Sequence, residues 1–238
     1  MQHNKINLSI ILPTYNEVKT LEYVINKWDC ILKNEQINYE FVVCEDGSTD
    51  GTKELVCNLE KKYQIKNESS QTRRGYGGGV LAGIKSSAGD YILCIDSDGQ
   101  CMPDSFEEFW KKKNNADILI GIRAPRKDPM IRRIYSFFFL ILHRILFPSR
   151  IKDPSCPYIL AKKEVFVNLS PQMKFMREGF WWGFVGAGLQ KKYKFIQLPI
   201  IHYERFDGSS VVYKPSKMPS IILRNIIGLI KLRFHRIN

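Results

Sequence analysis

The sequence predicts an α/β protein: a mostly parallel, doubly wound sheet flanked by helices, with an amphipathic helix at the C-terminal end. Three observations predict it. Short apolar runs at residues 8–12 (LSIIL), 39–44 (YEFVVC) and 91–95 (YILCI) read as buried strands. Helical signals fill the intervals between them. Each run ends in a cluster of turn-forming polar residues, at the edge where open α/β sheets bind ligands.

The elements follow in order. The first strand is expected to stop at Pro13. Leu21, Val24, Ile25, Trp28, Ile31 and Leu32 then recur at helical spacing, so a helix is expected over residues 17–32 with Asn16 as its cap. The second strand breaks at residues 45–52 (EDGSTDGT), a loop rich in turn residues, and helix returns over 53–63. Asp50 and Thr52 suit a turn or cap as well as a ligand. Gly75-Tyr76-Gly77-Gly78-Gly79 lacks the dinucleotide and P-loop spacings and is expected to be a flexible lead into a helix reaching Ser86. After residue 120 the pattern changes. Residues 121–150 carry Arg123, Arg126, Lys127, Arg132, Arg133, Arg144 and Arg150 against one acid, Asp128, around the apolar run 137–142. Residues 215–238 are apolar with Lys217, Arg224 and Lys231 at seven-residue spacing.

Composition narrows the function classes. The 238 residues are 44% hydrophobic and 25% charged, which suits a globular domain and excludes a disordered one. The 36 Lys and Arg against 24 Asp and Glu give +12, which favours anionic partners: nucleic acid, phosphorylated substrates or an anionic membrane surface. No segment matches a nucleic-acid-binding module, so no nucleic acid is expected as partner. The six cysteines form no CxxC pair and are expected as buried thiols in a reducing compartment. Residues 1–7 are polar, and no run reaches the ~20 apolar residues a membrane span needs. A cytoplasmic protein, peripheral on the cytoplasmic face of a membrane, is therefore expected. Basic amphipathic helices lie in the membrane interface. The C-terminal helix is expected there, or docked on a membrane-protein partner; residues 137–147 are expected either there or at a core or homo-oligomer interface.

Three polar clusters carry the chemistry: Pro13-Thr14-Tyr15-Asn16-Glu17, the 45–50 loop, and Asp96-Ser97-Asp98-Gly99-Gln100. Asp96 and Asp98 emerge directly from a strand. The alternation of an extended chain is expected to separate their carboxylates, one toward metal and the other toward ligand or loop. Hard oxygen ligands suit Mg2+ or Mn2+, whose coordination substrate phosphates commonly complete.

These motifs, in this order and spacing, resemble family 2 glycosyltransferases of the GT-A fold, with its Rossmann-like sheet. Within that family the chain looks most like the polyprenyl-phosphate hexosyltransferases, the group that contains dolichyl-phosphate mannose synthase. The residues behind that likeness are Asp96-Ser97-Asp98-Gly99-Gln100, Gly121-Ile122-Arg123, Lys152-Asp153-Pro154-Ser155 and Arg205-Phe206-Asp207-Gly208-Ser209-Ser210. The resemblance implies metal-dependent, inverting transfer of a hexose from a GDP- or UDP-linked sugar to polyprenyl phosphate. The alternative is transfer to a glycan hydroxyl, with Glu178 as candidate base. The resemblance further implies a nucleoside pocket lined by Pro13, Tyr15, Glu17 and Asp46, and metal held by Asp98 and Gln100 with Asp96 at the ribose or the metal. Arg205 would contact the donor diphosphate, and Arg123, Arg133 and Ser136 the acceptor phosphate. Arg74 is a further donor candidate. Residues 1–212 would form the catalytic domain, with 1–120 as donor half and 121–212 as acceptor half, and 213–238 the terminal helix. Two departures stand out: Cys156-Pro157-Tyr158 replaces a Gly-Phe-Arg type sequence, and Ser210 is followed by Val211, with Lys214 the next lysine.

Overall fold

A computed structural model describes residues 5–127, 130–176, 179–206 and 218–235. Seven strands form one sheet in the order β3-β2-β1-β4-β6-β5-β7. They are β1 (Leu8–Thr14), β2 (Tyr39–Glu45), β3 (Ile65–Asn67), β4 (Tyr91–Cys94), β5 (Ile118–Arg123), β6 (Ile159–Lys162) and β7 (Phe195–Ile200). β6 runs antiparallel to both β4 and β5, and every other pairing is parallel. Two reversals cancel, so β1, β2, β4, β5 and β7 all end at the same edge. The topology thus brings residues from both halves of the chain to one place.

β1 and β2 are apolar at successive positions because helices cover both faces of the sheet. Those helices are α1 (Leu21–Asn34), α2 (Thr52–Leu59), α3 (Tyr76–Ser86), α4 (Phe106–Lys112), α5 (Met130–Leu146), α6 (Lys163–Leu169), α7 (Phe180–Gln190) and α8 (Met218–Phe234). α1 seats Leu21, Val24, Ile25, Trp28 and Leu32 in the core. Each such side chain contributes roughly 1.5–3 kcal/mol. α3 lies close on the sheet at Gly83, where a Cβ would come within 2.7 Å of Cys44 Sγ and Ile11 Cγ2.

The structure corrects several boundaries. β1 does not stop at Pro13. Ile11 O accepts from Ile95 N, so Pro13, two residues on, faces the β4 side after that pairing has ended. Its missing N–H costs nothing there, and its carbonyl accepts the Ser97 hydroxyl at 2.8 Å. Asn16 is not a helix cap. It adopts a left-handed φ of 55°, and α1 begins only at Leu21. α2 ends at Leu59 rather than at residue 63. The α5 helix starts at Met130, ahead of the apolar run that announced it.

Candidate active site

The loops at the shared edge are braced against one another. Asn16 N donates to Ser48 Oγ at 3.0 Å, and Asn16 Oδ1 accepts from Thr49 N at 2.9 Å. Asp50 accepts from Val18 N at 3.2 Å, from Thr52 N at 3.0 Å and from the Thr52 hydroxyl at 2.6 Å. Asp50 and Thr52 therefore serve the loop. Asp46 clamps the entry to α3, its two oxygens accepting from Arg74 N at 2.7 Å and Gly75 N at 2.8 Å. This geometry holds a cavity of about 210 Å³ over the sheet edge.

Residues of the three strand-end clusters meet at that cavity. Pro13, Tyr15, Glu17, Asp46, Asp96, Asp98 and Gln100 all line it. Asp96 and Asp98 are not separated to opposite sides as expected: residues two apart on an extended chain share a face, and both reach the cavity. Gly99, with φ of 79°, turns the chain sharply behind them, and Gln100 N donates to Asp98 Oδ1 at 3.1 Å. The Gln100 side-chain amide donates to Tyr203 O at 3.3 Å, fastening this loop to the segment after β7. Asp96 Oδ1 accepts the Tyr76 hydroxyl at 2.8 Å.

Arginines line the same cavity. Arg205 forms a close ion pair with Glu17 and lies 4.0 Å from Asp98 Oδ2. Burial pushes the Glu17 carboxyl up; Arg205 opposes that shift and the Asp98 charge adds to it, with a net rise. Arg123 lines the cavity, yet its guanidinium is held in a fork by Asp153, with both contacts at 2.7 Å, and donates to Ser155 Oγ at 2.6 Å. Burial works against the Asp153 charge, but the Arg123 bonds and charge, with Arg126 3.9 Å away, outweigh it and hold that carboxyl below the usual range. Arg133, exposed on α5, and Ser136 are not among the cavity-lining residues. Nor is Arg74, which donates to Glu68 O at 2.8 Å and pairs with the Glu68 carboxylate at 3.4 Å. Glu178, residues 207–210 and Lys214 lie outside the described residues.

Several lining residues were not foreseen. Arg73 stacks its guanidinium 3.7 Å from the centre of the Tyr15 ring, a cation–π contact on the expected nucleoside side. His202 is buried, with Nδ1 accepting from Lys127 N at 3.1 Å. Tyr76, Trp181 and Trp182 close the wall between α3 and α7. Their only sequence signal was aromatic residues inside two glycine-containing stretches.

The donor set fits a hard divalent cation in part. Among the described residues no group of three or more His, Cys, Asp or Glu side chains forms a ready-made cage. Two carboxylates on one loop, beside a cavity, are what Mg2+ or Mn2+ needs when phosphate oxygens and water supply the remaining ligands.

Two helices carry a large exposed apolar surface. On α5, Met130, Ile134, Phe137, Phe138, Ile141 and Ile145 face outward, with Phe138 63% and Ile145 71% exposed. On α8, Leu223, Ile227, Ile230 and Phe234 do the same. The inward side of α5 is fixed by His143 and Phe147, and Trp182 of the cavity wall packs on Phe139 and His143. No helix among the described residues is long and apolar enough to cross a membrane.

Comparison with known proteins gives this geometry a family. Residues 9–169 match the family described as Glycosyl transferase family 2. A dolichol-phosphate mannosyltransferase of Pyrococcus furiosus is 33% identical over 176 residues, covering 70% of this chain and 49% of that protein. A dolichyl-phosphate β-glucosyltransferase of Dictyostelium discoideum is 28% identical over 97% of this chain and 78% of that protein. The chain spans about half the length of the first curated relatives it matches, 49% and 56%. Glucosyl-3-phosphoglycerate synthase of Mycobacterium tuberculosis, crystallised with Mn2+, uridine diphosphate and phosphoglyceric acid, superposes with a TM-score of 0.71 at 17% identity, covering 97% of this chain and 79% of that one. Mannosyl-3-phosphoglycerate synthase of Rubrobacter xylanophilus superposes at 0.67 with 12% identity, covering 95% and 73%. These two structures bear out the expected GT-A fold. With its match over residues 9–169, the chain belongs to glycosyl transferase family 2.

Proposed function

We propose that this protein transfers a hexose from a GDP- or UDP-linked sugar to polyprenyl phosphate, with inversion at the anomeric carbon and with Mg2+ or Mn2+. The observation that carries the reading is one cavity lined by both carboxylates and arginines, whose wall residue Trp182 packs directly on the apolar-faced helix α5. The names of the mannosyl- and glucosyltransferase relatives support a dolichyl-phosphate type of acceptor. The Mn2+ and uridine diphosphate in a structural neighbour support the donor side.

In this reading Asp98 and Asp96 would hold the cation, with Gln100 beside them, and it would supply positive charge for the departing diphosphate. Arg205 turns from Glu17 and Asp98 toward that diphosphate and stabilises it as it leaves. Tyr15 and Asp46 shape the nucleoside end. A prenyl phosphate is already ionised at pH 7 and needs no side-chain base, whereas a sugar hydroxyl does. One phosphate oxygen forms the new bond to the anomeric carbon as the bond to the diphosphate breaks. The electron pair leaves with the nucleoside diphosphate. Arg123, held rigid by Asp153, supplies positive potential near the acceptor phosphate, and Arg133 and Ser136 on α5 meet it nearer the lipid. Residues 1–120 then act as the donor half, 121–212 as the acceptor half, and 213–238 as an interfacial helix. α5 and α8 rest on the cytoplasmic face of a membrane, their apolar stripes flanked by Arg133, Arg144, Arg224 and Lys231.

Thermal melting with UDP and GDP, in Mn2+ and separately in EDTA, tests the donor side. A nucleotide at about 100 times its Kd stabilises by about 2.7 kcal/mol, or roughly 5–10 °C for a chain of this size. The expected result is that rise for one nucleotide, only with Mn2+, lost in Asp98→Asn. An equal rise in EDTA would contradict the metal role.

A further inference from the structure

Asp96 is oriented by a two-step chain of hydrogen bonds that reaches across the cavity wall. Its Oδ1 accepts the Tyr76 hydroxyl at 2.8 Å, and the same hydroxyl accepts the Trp181 indole N–H at 2.6 Å. An indole N–H only donates. The lone hydroxyl proton of Tyr76 is therefore directed to Asp96. The two rings meet edge to face, with centroids 6.5 Å apart and planes at 77°, and Trp181 is itself buried between Phe180 and Phe184. Tyr76 is the first residue of α3, directly after Gly75 with its φ of 77°, so the backbone at this point is fixed as well.

We propose that Tyr76 and Trp181 are positioning residues for the Asp96 carboxylate: Trp181 sets the direction of the Tyr76 proton, and Tyr76 sets the orientation in which Asp96 meets the cation and the donor. This gives the tyrosine of the glycine-rich segment a role beyond leading into a helix. It also ties α7, which packs on α5 through Trp182, to the loop after β4. The inference rests on the metal reading above. Partners of this kind commonly change metal affinity 10–100-fold when removed.

The test is Mn2+ binding to the full chain, read from the free Mn2+ EPR signal, alongside urea denaturation. Tyr76→Phe keeps the ring and removes the hydroxyl. It is expected to weaken Mn2+ binding about 10-fold while the chain still unfolds in one cooperative transition, at a modestly lower urea midpoint because the Trp181 N–H loses its acceptor. Trp181→Phe is expected to weaken Mn2+ binding by less. The double variant is expected to be no worse than Tyr76→Phe, since Trp181 acts through the tyrosine. Losses that simply multiply in the double variant would overturn the chain. Wild-type Mn2+ binding in Tyr76→Phe, with binding lost in Asp96→Asn, would overturn this inference alone. Unchanged binding in Asp96→Asn would instead remove the metal reading beneath it.

Discussion

The two sides of the cavity are built by different means. On the carboxylate side each polar cluster follows its own strand within a few residues, and neighbouring loops brace one another through Asn16, Asp50 and Asp46. On the cationic side each arginine is held by a distant carboxylate: Arg123 by Asp153, 30 residues away, and Arg205 by Glu17, 188 residues away. The acidic side takes its positions from local strand ends, although its braces reach 33, 32 and 28 residues along the chain. The cationic side exists only once the sheet has closed and the last segment has crossed back to the first strand. The acidic side can therefore tolerate the loss of one loop contact, while the cationic side leans on the buried Arg123–Asp153 fork and on Arg205, partly exposed beside Glu17 and Asp98.

Cutting such a pair gives the largest effect. Asp153→Asn leaves Arg123 buried with its charge no longer balanced, and that is expected to cost about 3–5 kcal/mol in urea denaturation. A cost below about 1 kcal/mol would place the arginines on the same footing as the loops and break the comparison.

Acid should also strike the second half of the chain. His143 is buried on α5 between Phe147 and Trp182, and burial pushes its imidazole down to about 4 from 6.5, with Nε2 bonded to Trp182 O at 3.1 Å. The unfolded chain takes up a proton near pH 6.5 and the folded one only near pH 4. Stability is whole above about pH 6.5 and declines as pH falls toward 4, by on the order of 3 kcal/mol. The difference between wild type and His143→Phe across a pH series isolates this contribution. A constant difference from pH 7 to pH 4 would refute it.

The smallest effect on folding belongs to the outer face of α5. Phe138→Glu with Ile145→Glu alters two exposed side chains, so stability should stay within about 0.5 kcal/mol per substitution. Binding to anionic vesicles, measured by co-sedimentation, is expected to fall at least ~10-fold. Undiminished binding would assign that face to some other contact.

Legibility in the sequence follows the same division. β1, β2 and β4, α3, and the Asp96-Ser97-Asp98 loop could be read because apolar runs and turn residues are local signals. The β1 boundary was misread because a proline is harmless where a neighbouring strand has ended, and pairing ends are not written beside the proline. The antiparallel β6 gave no signal, since three apolar residues and a lysine look alike in either direction. Arg123 was legible as a site residue but its tether to Asp153 was not, although Lys152-Asp153-Pro154-Ser155 was noticed. Tyr76 and Trp181 were missed as a pair because 105 residues separate them. From sequence the terminal helix reads as the membrane-facing one, yet Phe137 and Phe138 expose a similar stripe on α5, which composition alone does not separate from a core or interface helix.

The acceptor is the central claim, and product identity tests it most directly. Purified protein would be incubated with radiolabelled UDP- and GDP-hexoses, Mn2+, and either polyprenyl phosphate in vesicles or a soluble glycan acceptor. The account predicts label in the lipid phosphate, in a sugar bond released by mild acid. Label found only in glycan, with none in lipid, would contradict it.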